Sequence, residues 1–187
     1  MEIVLKRLWQ NLQICLRPSW QTPEVAALYA AMAAQSRQPA LYKAGGVPDS
    51  LDGRFDLLSL HLALLMRRLQ PEGRAGGRLR QAVFDFFAAD MDRSLREMGV
   101  GDMGISRRVR LMGEAFYGRA RAYNAALDAP EPRPALMTAL DKNLYGTVPT
   151  NPAALGWMAD YILRLQDYLD RQPAASILSG TLALPPP

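Results

Sequence analysis

The sequence predicts an all-α domain of six to seven helices that is not a simple four-helix bundle. Three observations predict it. Apolar residues recur at spacings of three and four along most of the chain. No stretch shows the alternation of period two that a half-buried strand needs, and proline and glycine separate the periodic segments. The composition agrees: 187 residues suit one domain, 49% hydrophobic residues can build a core, and 21% charged residues is ordinary for a globular chain.

Taken in order, residues 2–16 carry Leu5, Trp9, Leu12 and Leu16 as one helical stripe that Pro18 stops. Thr22, Pro23 and Glu24 read as an N-cap, a first-turn proline and a first-turn acid, opening an alanine-rich helix over 25–35. Residues 41–53 hold Gly45, Gly46, Pro48 and Gly53 and read as a loop. Over 55–69, Phe55, Leu58, Leu62, Leu65 and Leu69 repeat at three and four while Leu57, Leu60 and Leu64 fill the other sides, so this helix is expected to be central and buried. Its last turn carries Arg67 and Arg68, where the helix dipole favours cations.

Residues 71–77 read as a loop and 79–98 as a helix with Leu79, Val83, Phe87, Met91 and Leu95 on one stripe and Gly99 as its terminator. Ser106 is expected to cap a helix running to Leu127 through Val109, Met112, Phe116, Ala120 and Tyr123. Gly113 and Gly118 inside it cost about 1 kcal/mol each against alanine, which points to close helix packing. A proline-rich linker over 129–134 precedes a short helix over 134–145. Asn151 and Pro152 open the last long helix, with Leu155, Met158, Ile162, Leu165 and Leu169 on one face. The division expected is an N-terminal amphipathic helix over 1–19, a helical domain over 20–172, and a proline-rich tail over 173–187 with one short turn near Ile177.

Composition excludes several classes. One cysteine, Cys15, rules out an internal disulfide framework and fits a reducing compartment. With His61 the only histidine, His/Cys metal sites find no ligand set. No apolar run is long enough to span a bilayer, and the N-terminus shows no secretory leader. The net charge of +4, with nineteen of 22 basic residues arginine, suits an acidic partner, RNA or an anionic membrane face, although acids interleave with the arginines.

Few residues carry chemistry. Gly99, Gly101 and Gly104 match the dinucleotide spacing, but a helix precedes them where that fingerprint needs a strand, so they read as a helix–helix turn. Asp90 and Asp92 have Mg²⁺–diphosphate spacing without a second acidic cluster. With Arg93, Arg96 and Glu97 they also form i,i+3 and i,i+4 ion pairs, and Asp90 falls on a partly apolar face. His61, inside the most apolar helix, reads as a satisfied core residue or as a partner for Asp90 or Glu97. Arg107, Arg108, Arg110, Arg119 and Arg121, with Tyr117 among them and Glu114 as the only acid, outline a basic face for RNA, a ribosome, anionic lipid or an acidic protein. There is no Gly-x-Ser-x-Gly and no phosphate loop, so no catalytic residue, metal or cofactor is assigned.

Several blocks carry a family resemblance. Residues 46–64 read GVPDSLDGRFDLLSLHLAL, and 84–101 read FDFFAADMDRSLREMGVG and lead into Asp102; Arg107–Val109 and EAFYGR over 114–119 follow. Their order and spacing resemble the ubiquinol–cytochrome c chaperone family over roughly 20–170, and without a transit peptide its bacterial branch. The resemblance implies an assembly factor and not an enzyme. It would be cytoplasmic, peripheral at the membrane, bind newly synthesised cytochrome b, and support biogenesis of the cytochrome bc1 complex. A small co-chaperone is an implied partner, and the 107–121 face would meet a ribosome or the inner membrane surface. A holder of transmembrane clients needs an apolar, adaptable groove, and Met91, Met98, Met103 and Met112 cluster near the glycine turn, where core packing is the other reading. The helices over 55–69, 79–98 and 106–127 are expected to form the core and flank that groove. Phe55, His61, Asp90, Arg93, Glu97, Asp102, Arg107, Phe116, Tyr117 and Arg119 are its expected residues. The rival readings are a basic helical adaptor for RNA or anionic membrane, and a Mg²⁺-dependent isoprenoid-handling enzyme using Asp90 and Asp92.

Overall fold

The computed structural model describes residues 20–146 and 149–187. The helix expected over 1–19, with Trp9 and Cys15, lies outside the described residues. Among the described residues every regular element is helical: α1 (Pro23–Gln35), α2 (Pro39–Lys43), α3 (Leu51–Arg68), a 3-10 turn (Gln70–Glu72), α4 (Gly73–Glu97), α5 (Asp102–Leu127), α6 (Pro132–Asn143), α7 (Pro152–Asp170) and α8 (Ala174–Leu178). Six of these are long and two are single short turns, so the expected all-α architecture of six to seven helices holds.

Helix starts follow the capping residues. Thr22 Oγ1 accepts from Val25 N–H at 3.4 Å, Ser50 Oγ from Gly53 N–H at 3.1 Å, and Asn151 Oδ1 from Ala153 N–H at 2.9 Å. Each satisfies one of the donors that a first helical turn leaves open. Gly53 has a second reason to be glycine. A Cβ there would meet Pro48 O at 2.1 Å, because the 46–50 loop folds back over the first turn of α3.

Three expectations about boundaries are corrected. The expected loop over 41–53 is helical at both ends, its first residues lying in α2 (Pro39–Lys43) and its last in the first turn of α3. Residues 73–77 of the expected 71–77 loop are the first turns of α4. Gly76 is buried there because α4 crosses the end of α3, and a Cβ would meet Leu69 O at 2.2 Å. The helix expected to begin at Ser106 begins at Asp102, with Gly101 in extended geometry before it. Of the two glycines inside that helix, Gly113 faces Phe84, whose Cζ would lie 3.4 Å from a Cβ, but Gly118 faces open space, so close packing does not account for it.

The core centres on α3, as its all-round leucines require. Leu57, Leu60, Leu62 and Leu65 are fully buried, and α3 packs against α1, α5 and α7. The core is wider than the three helices expected: Leu28 and Met32 of α1, Leu136 and Leu140 of α6, and Met158, Ile162 and Leu165 of α7 are equally buried. Arg68 does not serve its own helix end. Its buried guanidinium donates to Leu169 O at 3.0 Å and Gln172 O at 2.9 Å, capping α7, and pairs with Glu72. The 173–187 segment is no loose tail. Ile177 is fully buried, Leu182 and Leu184 pack on the core, and the Gln172 side chain bonds both the N–H and the C=O of Ala183.

Candidate functional site

Helices α4 and α5 form a long hairpin. Gly99, at φ +78°, ends α4 in left-handed geometry, with Gly99 N–H on Arg96 O at 2.9 Å and Val100 N–H on Leu95 O at 3.1 Å. The glycine spacing therefore builds a turn between two helices, without the strand that a dinucleotide site needs. Arg96 spans the turn, bonding Asp92 at 2.7 Å and also Asp102. Leu95 and Ile105 are buried near this turn, outside the main core.

Midway along the hairpin, α4 and α5 enclose an apolar hollow of about 340 Å³, floored by Phe84, Phe87, Met91, Val109 and Met112. Arg110 and Glu114, paired at 2.7 Å, sit at its rim. Rigid rings and two flexible thioethers around a concave apolar space make a surface that adapts to apolar ligands. Phe84 anchors it, 4.7 Å from Tyr117 and 5.5 Å from Phe116 between ring centroids.

Tyr117, 52% exposed, also borders a second and larger trough of about 640 Å³ between α3, α4 and α5. Its floor is Ala63, Met66, Phe116 and Ala120, and its walls carry Arg67, Arg80, Arg121 and Asp128. Arg67 bonds Asp128 at 2.6 Å. The basic face expected on one helix is thus divided. Arg107 and Arg108 are exposed beyond the hollow, Arg110 stands at its rim, Arg121 lines the trough, and Arg119 turns inward.

Arg119 lies 2.9 Å from Asp56 Oδ1, donates to Asn143 O at 3.2 Å and sits 5.8 Å over the Phe55 ring, tying α3, α5 and α6 together. The Asp56 contact is Coulombic rather than a well-aligned hydrogen bond, since Oδ1 has no aligned donor. Burial outweighs it and pushes the Asp56 carboxyl up to about 6.

His61 has no exposed surface and does not meet Asp90 or Glu97. Its Nδ1–H donates to Leu57 O and its Nε2 accepts from Tyr161 OH, both at 2.7 Å. Tyr161 OH in turn accepts from Gln35 Nε2 at 3.1 Å, and the same Gln35 amide donates to Pro185 O at 2.8 Å. Burial pulls the imidazole down to about 4, so it stays neutral. The core reading is the one this geometry supports.

The ten expected site residues do not form one patch. Phe55, Phe116, Tyr117 and Arg119 meet beside Phe84 and Phe87, with Phe55 5.9 Å from Phe87, although Phe116 is itself fully buried. Asp90 lies on the α1 side, where it accepts from Tyr29 OH at 2.6 Å and from Arg93. That contact is reinforced by Phe86, 4.7 Å from the Tyr29 ring. Asp102 belongs to the turn, and Glu97 and Arg107 are exposed. Asp90 and Asp92 do not converge on a diphosphate site: cations or hydroxyls occupy both, and the described residues contain no cluster of three metal-ligating side chains. Met91 and Met112 line the hollow and Met98 is 53% exposed; the Met103 side chain lies outside what is described. Phe84, Arg80 and Asn124 were not singled out by sequence. Phe84 stands off the i,i+4 stripe, and the other two carry no motif.

Residues 43–184 match the family model described as ubiquinol-cytochrome C chaperone. The chain is 24% identical over 132 residues to ubiquinol-cytochrome-c reductase complex assembly factor 1 of Xenopus laevis, covering 71% of this chain and 65% of that protein. It matches the Mus musculus protein of the same description with 24% identity over 132 residues, covering 71% of this chain and 44% of that one. The chain therefore spans less than two thirds of the length of these relatives. Among solved structures, the crystal structure of the Cbp3 homolog from Brucella abortus superposes with a TM-score of 0.78 at 33% identity, covering 98% of this chain and 96% of that chain.

Proposed function

The chain belongs to the ubiquinol–cytochrome c chaperone family, and from that premise we propose that it is an assembly factor for the cytochrome bc1 complex that holds newly synthesised cytochrome b. One observation carries the reading: the hollow between α4 and α5, lined by aromatic rings and two methionines. Transmembrane segments awaiting insertion expose apolar side chains, and such a hollow accepts them without demanding one sequence. The role is binding, not catalysis, and no cofactor takes part. No helix among the described residues is long and apolar enough to cross a membrane. The protein works at the cytoplasmic face of the membrane, with a small co-chaperone as a further partner. Any ribosome or anionic-lipid contact rests on Arg107 and Arg108, the exposed pair near the hairpin turn.

Two measurements test this. In a strain lacking the gene, membrane difference spectra lose the cytochrome b signal while cytochrome b message is normal; an unchanged signal sinks the reading. Photo-crosslinkers at Met91, Met112 or Tyr117 capture cytochrome b, whereas one at Tyr168 on α7 does not. Capture at Tyr168 alone would move the client elsewhere. A ribosome or lipid contact would weaken steeply with salt, and the apolar contact only slightly.

A further inference from the structure

The trough on the far side of Tyr117 has a different chemistry from the client hollow. Its lining runs from Ala63 on α3 to Gln70 of the 3-10 turn, and along α5 from Phe116 to Asp128 at that helix's end, the latter a length of about 18 Å at the helical rise. Three arginines face it against one aspartate, and Arg67 already holds that aspartate. Arg80 and Arg121 form no ion pair among the described residues, although Arg80 is half-buried. Asp85, one helical turn beyond Gln81 on α4, accepts from Gln81 at 2.8 Å and does not line the trough. Two buried polar atoms of lining residues, Arg80 Nε and Asn124 Oδ1, have no protein partner. The floor is apolar and low, with Ala63, Gly77, Ala120 and Ala125 letting a neighbouring backbone approach.

The geometry points to a docking site for an acidic, amphipathic helical segment of a partner protein, laid along the trough between α3, α4 and α5. Carboxylates on one face of the segment meet Arg80 and Arg121. Apolar residues on its other face rest on Met66, Ala120 and Tyr117. The length favours a segment of about twelve helical residues over a compact phosphate. The two free arginines fix the sign of the partner's charge. This site goes beyond the client reading and does not depend on it, since the apolar hollow and the arginine trough share only the Tyr117 ridge.

The test uses the full chain and two fluorescent amphipathic peptides of about twelve residues, alike except that one carries Glu and the other Lys on its polar face. The wild type binds the Glu peptide and not the Lys peptide. Arg80→Glu with Arg121→Glu weakens the Glu peptide about tenfold or more and lets the Lys peptide bind, a reversal that loss of structure cannot produce. Arg121→Glu alone, at an exposed position, gives the same direction should the double variant fold poorly. Arg164→Ala with Arg171→Ala, at exposed positions outside the trough, leaves both affinities unchanged. Equal binding of the Glu peptide by wild type and the trough variants overturns the proposal, as does failure of the wild type to bind it. Binding of phosphatidylglycerol vesicles that the trough variants lose, with no peptide bound, assigns the trough to lipid and overturns it equally. Loss of cytochrome b capture at Met112 with peptide binding intact would strike the client reading and leave this one standing.

Discussion

Where α3 packs on α7, the side chains are large, buried and bonded: His61 has both ring nitrogens engaged, Tyr161 joins it to Gln35, and Arg68 closes the end of α7. Where α4 packs on α5 beyond Phe87, only Leu95 and Ile105 are buried among the described side chains, and methionines, arginines and a concave apolar surface face outward. Both regions are helical pairs built from the same residue types. The difference is how many neighbours cover them: α3 is enclosed by α1, α5 and α7, while the hairpin end has its own two strips to shelter each other. On the proposed reading the buried region supplies stability and the uncovered one the client surface, so damage should separate along the same line.

The largest effect should come from a cavity in the covered region. Leu62→Ala, at a fully buried site, is expected to cost about 2–5 kcal/mol in urea unfolding. Met112→Ala in the half-covered hollow should cost about 1 kcal/mol, yet reduce capture of cytochrome b at Tyr117. Equal destabilisation by the two would break the comparison, because it would make the hollow part of the core.

The next effect lies in the pH dependence of the covered region. Asp56 titrates near 6 when folded against an ordinary 3.8, so it favours folding in acid and that contribution is lost as pH rises from about 4 to 6. His61 does the reverse. Its folded value near 4 lies below the ordinary 6.5, so its contribution is present above 6.5 and lost as pH falls toward 4. The two oppose each other over the same window. Asp56→Asn removes one of them, and the variant is expected to lose about 2 kcal/mol more than wild type between pH 6.5 and 4.5. Parallel stability curves would mean that Asp56 is held ionised by Arg119 despite its burial.

The two regions were also unequally legible in the sequence. The 3-4 leucine repeat of α3 announces burial because a helix apolar on every side has nowhere else to go. The pairing of His61 was not legible, since Tyr161 and Gln35 are distant in sequence and carry no spacing signal. Glycine misled twice. Gly76 and Gly77 read as a loop but lie within α4, where the crossing of Leu69 requires the first. The run from Gly101 to Gly104 hid the start of α5, because local propensity registers the cost of glycine and not the tertiary contacts that offset it. The aromatic half of the site was visible as family-like blocks, and the trough was not, because it forms only when three helices bring unremarkable arginines together.

A smaller effect tests whether the C-terminal strap belongs to the covered region. Gly180 sits at φ +84°, and a Cβ there would lie 2.7 Å from Glu24 Cα. Gly180→Ala should therefore lift the strap from α1 and cost about 1.5 kcal/mol in a thermal melt, with client capture at Met112 unchanged. A loss of capture would show that the strap and the hairpin are coupled through α4, which α8 touches.

The smallest effect is expected at the rim. Arg110 and Glu114 form an exposed i,i+4 pair, 66% and 57% accessible, and such pairs are screened by water. Arg110→Ala should change stability by no more than about 0.5 kcal/mol. The pair nonetheless borders the hollow, so its charges would flank an apolar client segment seated there. Removing the arginine should slow capture at low salt and leave it unaltered at high salt, because a rim charge acts on encounter more than on the bound state. If Arg110→Ala lowers capture equally at both salt concentrations, the arginine touches the client through its aliphatic stem. The uncovered region would then extend past the hollow onto the exposed turn of α5.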